Sequence, residues 1–100
     1  MFVFEDSVTL DNRSIQRIIR EIDNSQWAIA LKGASEEVKE VIFANMSKRL
    51  VEMIKEDIDF MGPVRVRDIE EAQQNIVNVI RRLEEDGEII TPRGGAEIVV

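Results

Sequence analysis

The side chains best placed by type to do acid and base chemistry are two pairs of carboxylates, Glu56 with Asp57 and Glu84 with Glu85. Sequence neighbours point about 100° apart on a helix, so neither pair can converge on one bond as a general acid and base must. The 100 residues contain no cysteine and no histidine. Their absence removes thiolate nucleophiles, disulfides, sulfur-built zinc sites and the commonest metal ligand and general base. Arg93, Gly94 and Gly95 resemble a phosphate-contacting turn, but no lysine with serine or threonine follows in Walker order and no helix begins there. The expectation is a protein that is not an enzyme, with no catalytic, cofactor or metal residues.

Charge is arranged more purposefully on residues 48–61. With Arg49 set at zero and about 100° per residue, Leu50, Val51, Ile54, Ile58 and Met61 form an apolar stripe between roughly 100° and 200°. Arg49, Glu52, Glu56 and Asp59 share a column on the other side, and Asp57 flanks it near the core boundary. Met53 and Phe60 fall at about 40° and 20°, inside the charged face, so another segment or a partner must cover them. The plain use of such a face is solvation, with local pairs such as Arg49 to Glu52 worth some tenths of a kcal/mol. The functional use is docking through complementary charge.

The elements that hold this face are readable from caps and periodicity. Asp11 and Asn12 precede Ile15, Ile18, Ile19 and Ile22, which predicts a helix over 12–22. Asn24 or Ser25 starts a short helix through Trp27 and Leu31, which Gly33 stops by adopting positive φ. Ser35, followed by Glu36 and Glu37, starts a third helix, and Ser47 starts the fourth, which ends at Gly62 and Pro63. Asp68 and Glu71 have capping-box spacing ahead of Ile69, Ala72, Ile76, Ile80 and Leu83, the stripe of the longest helix, which runs nearly to Gly87. Alternation in Glu88 to Thr91 and Glu97 to Val100 is too short to build a sheet. Trp27 reads as a core residue. The fold class is all-α, a compact bundle of five to six helices in the helix-pair style of armadillo-like folds.

Length and composition place this within one domain, 44% hydrophobic and 33% charged, an ordered chain with a heavily charged surface. Thirteen basic and 20 acidic residues give 13 − 20 = −7, which opposes the counterion release that drives nucleic-acid binding. No nucleic-acid partner is expected. No apolar run reaches the roughly 18 to 20 residues needed to span a bilayer, and Glu5 and Asp6 stand where a secretory signal places basic residues. Zero cysteines fits the cytoplasm. Met1, Phe2, Val3 and Phe4 most naturally pack on the core, or act as a hinge contact if a domain precedes them.

Five short motifs occur in order: Met1-Phe2-Val3-Phe4, Leu10-Asp11-Asn12-Arg13-Ser14-Ile15-Gln16, Ala30-Leu31-Lys32-Gly33-Ala34, Asn45-Met46-Ser47-Lys48-Arg49 and Gly62-Pro63-Val64-Arg65. Together, from residue 1 to about 91, they resemble the C-terminal domain of the FliG family of flagellar motor switch proteins. The resemblance implies a rotor domain in the cytoplasmic ring, or C ring, of the bacterial flagellum. It would be peripheral to the cytoplasmic face of the inner membrane, at the basal body, and would serve motility and chemotaxis. Its implied partner is the cytoplasmic loop of the stator protein MotA, met by Lys32, Arg49, Glu56, Asp57 and Arg65, with Glu56 standing where relatives commonly have aspartate. Further implied partners are a preceding middle domain, neighbouring copies and other switch-complex proteins. The resemblance also implies that residues 1–4 (Met1, Phe2, Val3, Phe4) are a hinge for rotational switching, residues 5–91 a helical domain and residues 92–100 a flexible tail. A structural adaptor that stacks copies through Met53, Phe60 and Trp27 is the competing reading.

Overall fold

The computed structural model describes residues 2–92. Met1 of the hinge motif and residues 93–100 of the expected tail lie outside the described residues. Within them, regular structure is helical throughout: a 3-10 helix at Phe4–Thr9, then α1 (Asn12–Glu21), α2 (Asn24–Lys32), α3 (Glu36–Ala44), α4 (Lys48–Met61) and α5 (Val66–Glu85). Three of the caps expected from sequence form. Asp11 accepts from the Ser14 amide at 2.8 Å, Ser35 from the Val38 amide at 3.2 Å, and Ser47 from the Leu50 amide at 3.1 Å, each satisfying an otherwise orphaned donor.

Two starts differ from expectation. The N-cap of α2 is Asp23, one residue before Asn24, and its side chain makes no capping bond. α5 begins at Val66 behind Arg65, so Asp68 is the third helical residue and no cap. The Asp68 and Ile69 amides already bond the Arg65 carbonyl, at 3.0 and 3.1 Å. An acid in the first turn still gains from the positive end of the helix dipole, which is why the sequence signal pointed near the right place.

The 3-10 helix was not anticipated, because six residues hold too little periodicity to read. Local polar bonds make it: the Val3 amide donates to the Asp6 carboxylate at 2.9 Å, and the Ser7 hydroxyl donates to the Phe4 carbonyl at 2.6 Å. Phe2 and Phe4 thereby turn into the core, while Val3 between them stays half exposed. α3 and α5 pack against this segment.

α2 is the centre of the molecule. Trp27, Ala28, Ala30 and Leu31 are buried, and α4 and α5 both pack against the helix. A helix covered on several sides needs little amphipathic contrast, which explains its poor stripe. Ile15 and Ile18 of α1, Val38 and Ile42 of α3, and Ile76 and Ile80 of α5 complete the core. Gln73 on α5 donates to the Ala30 carbonyl at 3.0 Å, tying α5 to the end of α2. Past α5, Gly87 turns at φ 77°, Ile89 and Thr91 bury themselves, and the Thr91 hydroxyl bonds Glu84.

Gly33 ends α2 for a reason other than the expected positive φ. Its φ is −102°, open to any residue, but a Cβ there would sit 2.5 Å from Ile69 Cγ2 of α5. Gly33→Ala is therefore expected to cost about 1–3 kcal/mol, the range for overpacking, which outweighs the roughly 0.4–1 kcal/mol gained from a stiffer unfolded chain. A lower urea midpoint at unchanged m-value is the readout; a midpoint equal to or above that of the parent chain means Ile69 yields freely. Gly62 does take positive φ, at 63°, and so ends α4 as expected.

Candidate interaction surface on the fourth helix

α4 is fastened on one side and free on the other. Ile54 is its one fully buried residue, Leu50, Val51, Ile58 and Met61 are half-buried, and Arg49, Glu52, Met53, Glu56, Asp57, Asp59 and Phe60 are exposed. The division follows the helical stripe read from sequence. Ser47 and Gly62 bound the helix at Lys48–Met61, so its ridge is presented by a rigid element of 14 residues and not by a loop.

Charges on the ridge are unengaged. Among the described residues, Arg49, Glu52, Glu56, Asp57 and Asp59 make no ion pair or side-chain hydrogen bond, and the expected Arg49 to Glu52 pair does not form. Ion pairs form elsewhere. Arg17 meets Glu21 at 2.8 Å and Glu88 at 2.9 Å, Arg82 meets Glu21 at 3.0 Å, and Lys39 lies 3.5 Å from Glu36. The Arg17–Glu88 and Arg82–Glu21 pairs tie α1 to the returning chain and to α5, and Arg17–Glu21 joins them within α1. The shifts in acidity share this structural origin: hydrogen bonding to Arg17 lowers the pKa of Glu21, bonds to Glu21 and Glu88 raise that of Arg17, and the Ser14 cap bonds lower that of Asp11.

Lys32 and Arg65, expected to act with α4, lie on its neighbours. Lys32 is half-buried in the last turn of α2, the helix against which α4 packs, where a cation also suits the negative end of the helix dipole. Arg65 is exposed at the N-cap of α5, four residues beyond Met61, and makes no capping bond. A cation at a helix N-terminus opposes the dipole, so the Arg65 guanidinium, unlike its carbonyl, gives the helix start no support. Of the five predicted charges, the fold brings Arg49, Glu56 and Asp57 onto one helix.

Two further features bear on function. Trp27 is 1% exposed, so it cannot be part of a stacking surface. Between α3 and α4 lies an open groove of about 620 Å³, floored by Phe43, Ala44, Val51 and Ile58, with Lys55 Nζ 5.5 Å from the Phe43 ring centroid. Sequence reading missed this groove, whose signal was the spread of the apolar stripe of α4 out to Val51. Among the described residues no acidic cluster could hold a metal ion, and no helix is long and apolar enough to cross a membrane.

The family described as FliG C-terminal domain matches residues 1–90. This chain belongs to that family. It is 59% identical over 100 residues to flagellar motor switch protein FliG of Bacillus subtilis, covering 100% of this chain and 30% of the relative. The same identity and coverage hold for FliG of Thermotoga maritima. The chain thus spans about a third of the length of these FliG proteins. Solved structures agree: FliG from H. pylori superposes with TM-score 0.86 at 35% identity over 89% of this chain and 39% of that one. Full-length FliG from Aquifex aeolicus gives TM-score 0.83 at 41% identity over 87% and 27% of the two chains. The all-helical FliG fold is therefore shared over most of the chain.

Proposed function

We propose that this FliG-family domain is the rotor surface on which the stator of the bacterial flagellar motor acts. Lys32, Arg49, Glu56, Asp57 and Arg65 would face the cytoplasmic loop of MotA at the cytoplasmic face of the membrane. The observation that carries the reading is the rigid α4 ridge, whose charges of both signs are exposed and left unpaired by the fold. Exposed ion pairs are worth about 0.2–1 kcal/mol each and are screened beyond roughly 8 Å. Contacts of that strength steer and release quickly, as a stepping interface requires, and the domain itself performs no chemistry.

In this reading the domain is one part of a longer rotor protein in the switch complex, joined to a preceding middle domain through residues 1–4. Burial of Phe2 and Phe4 means that reorientation would pivot around a docked segment whose exposed member is Val3. A stacking adaptor is supported only by exposed Met53 and Phe60, since Trp27 is internal.

The deciding experiment is swimming of cells whose full-length rotor protein carries Arg49→Glu with Asp57→Lys. Both sites are exposed and unpaired, so thermal unfolding of the domain should change by no more than about 0.5 kcal/mol per site. We expect rings to assemble and swimming to fail, with compensating charge reversals in the stator loop restoring motion. Normal swimming would move the stacking role into first place.

A further inference from the structure

With no cysteine in the sequence, the sulfur of this chain is confined to four methionines. A methionine thioether takes up one oxygen atom from mild oxidants, and the sulfoxide so formed can be reduced back enzymatically. The structure separates these side chains by access. Met1 lies outside the described residues. Met46 and Met61 are half-buried and pack against the core. Met53 is 44% exposed and stands clear of that packing.

The backbone makes this difference lasting. Met53 sits within α4, a helix of 14 residues, so its side chain faces solvent in the folded chain. Met46 and Met61 reach an oxidant fully only when the local packing opens, which happens for a small fraction of the time. The surroundings of Met53 also tolerate a new oxygen. Arg49 and Asp57, one helical turn before and after it, are exposed. Arg49 makes no ion pair or side-chain hydrogen bond among the described residues, so its guanidinium can donate to an acceptor placed one turn along the helix.

We infer that Met53 is a modification site, the position at which hydroperoxide-type oxidants act first among the described residues while the fold stays intact. The sulfur attacks one peroxide oxygen and the O–O bond breaks. That oxygen remains on sulfur as the sulfoxide, and the other leaves with the proton as water or an alcohol. The thioether is thereby oxidised by two electrons and the hydroperoxide reduced by two. A flexible apolar side chain becomes a polar hydrogen-bond acceptor, and the apolar content of the exposed face of α4 falls without any change in its formal charge. The site stands apart from the function proposed above. Only the effect of the sulfoxide on a partner of α4 rests on that reading.

The test is a time course of the folded full chain in dilute hydrogen peroxide, followed by peptide mass spectrometry and thermal unfolding. Met53 is expected to gain oxygen several-fold faster than Met46 and Met61, and the chain oxidised at Met53 alone to keep the thermal midpoint of the parent. Unfolding in urea before the peroxide is added should bring the three rates together, because the difference comes from the fold. Met53→Leu, which keeps an apolar side chain there, should leave Met46 and Met61 oxidising at their slow parental rates. The inference is overturned if Met46 or Met61 is oxidised as fast as Met53 in the folded chain. It is also overturned if oxidation at Met53 alone lowers the midpoint, for the side chain then holds the helix in place. Neither outcome depends on the stator, so failure here is distinct from failure of the proposed function.

Discussion

Trp27→Ala lowers the stability of this domain by about 3–5 kcal/mol, enough to bring most 100-residue domains close to unfolding at physiological temperature. The thermal midpoint falls by upward of ~12 °C. The size of the effect follows from position. Trp27 is 1% exposed on α2, the helix that both α4 and α5 pack against, so the void it leaves is bounded by several elements that cannot all close in. Trp27→Phe separates volume from polarity. The indole N–H of Trp27 is buried without a protein acceptor, a situation that costs about 1–3 kcal/mol. Removing that donor offsets part of the lost packing, so the phenylalanine variant is expected to unfold within ~1.5 kcal/mol of the parent chain. Differential scanning calorimetry on the three chains measures this; equal losses for alanine and phenylalanine would show that the N–H is satisfied.

The helices were legible in the sequence where a cap and a stripe agreed. Asp11, Ser35 and Ser47 cap the helices they were expected to cap, and the wheel drawn for residues 48–61 separates Ile54 from the exposed ridge as observed. The signals that failed are those whose cause lies far away in the chain. Gly33 was read as a backbone device, but its constraint comes from Ile69 on α5, which no local pattern shows. The pairing of charges was equally hidden. Arg17 meets Glu88 across 71 residues, whereas the adjacent-turn pair expected between Arg49 and Glu52 is absent. Spacing states which charges could pair on a helix, and packing states which ones do.

That difference matters for the site more than for the fold. A sequence with 33 charged residues in every hundred offers many ridges that could serve a partner. Only the structure separates charges spent on holding α1, α5 and the returning chain together from charges left free on α4. The exposure of Phe60 sharpens the same distinction, because an apolar side chain that the fold leaves uncovered has no structural use to compete with a functional one. Lys32 is the opposite case: half-buried at the end of α2, it has a sufficient structural role in the helix dipole.

Ile54→Ala tests how the ridge is attached. It deletes the single fully buried side chain of α4, at an expected cost of about 2–5 kcal/mol. α4 packs chiefly against α2, with the open groove separating it from α3, so only the half-buried Leu50, Ile58 and Met61 remain to hold it when Ile54 is gone. The loss should therefore appear unevenly. Amide hydrogen exchange is expected to accelerate across 48–61 before it does in α2 or α5, because local release of α4 becomes cheaper than global unfolding. Ile58→Ala, at a half-buried position on the same stripe, should produce a smaller change in the same amides. If protection instead falls by one factor throughout the domain, α4 unfolds only with the whole, and the ridge is held as rigidly as the core. On the function proposed above, if α4 loosens alone, a variant that keeps every ridge charge is still expected to lose torque. The reason is mechanical: a helix proposed to transmit force must stay attached to the body it turns, and Ile54 is its most deeply buried point of attachment.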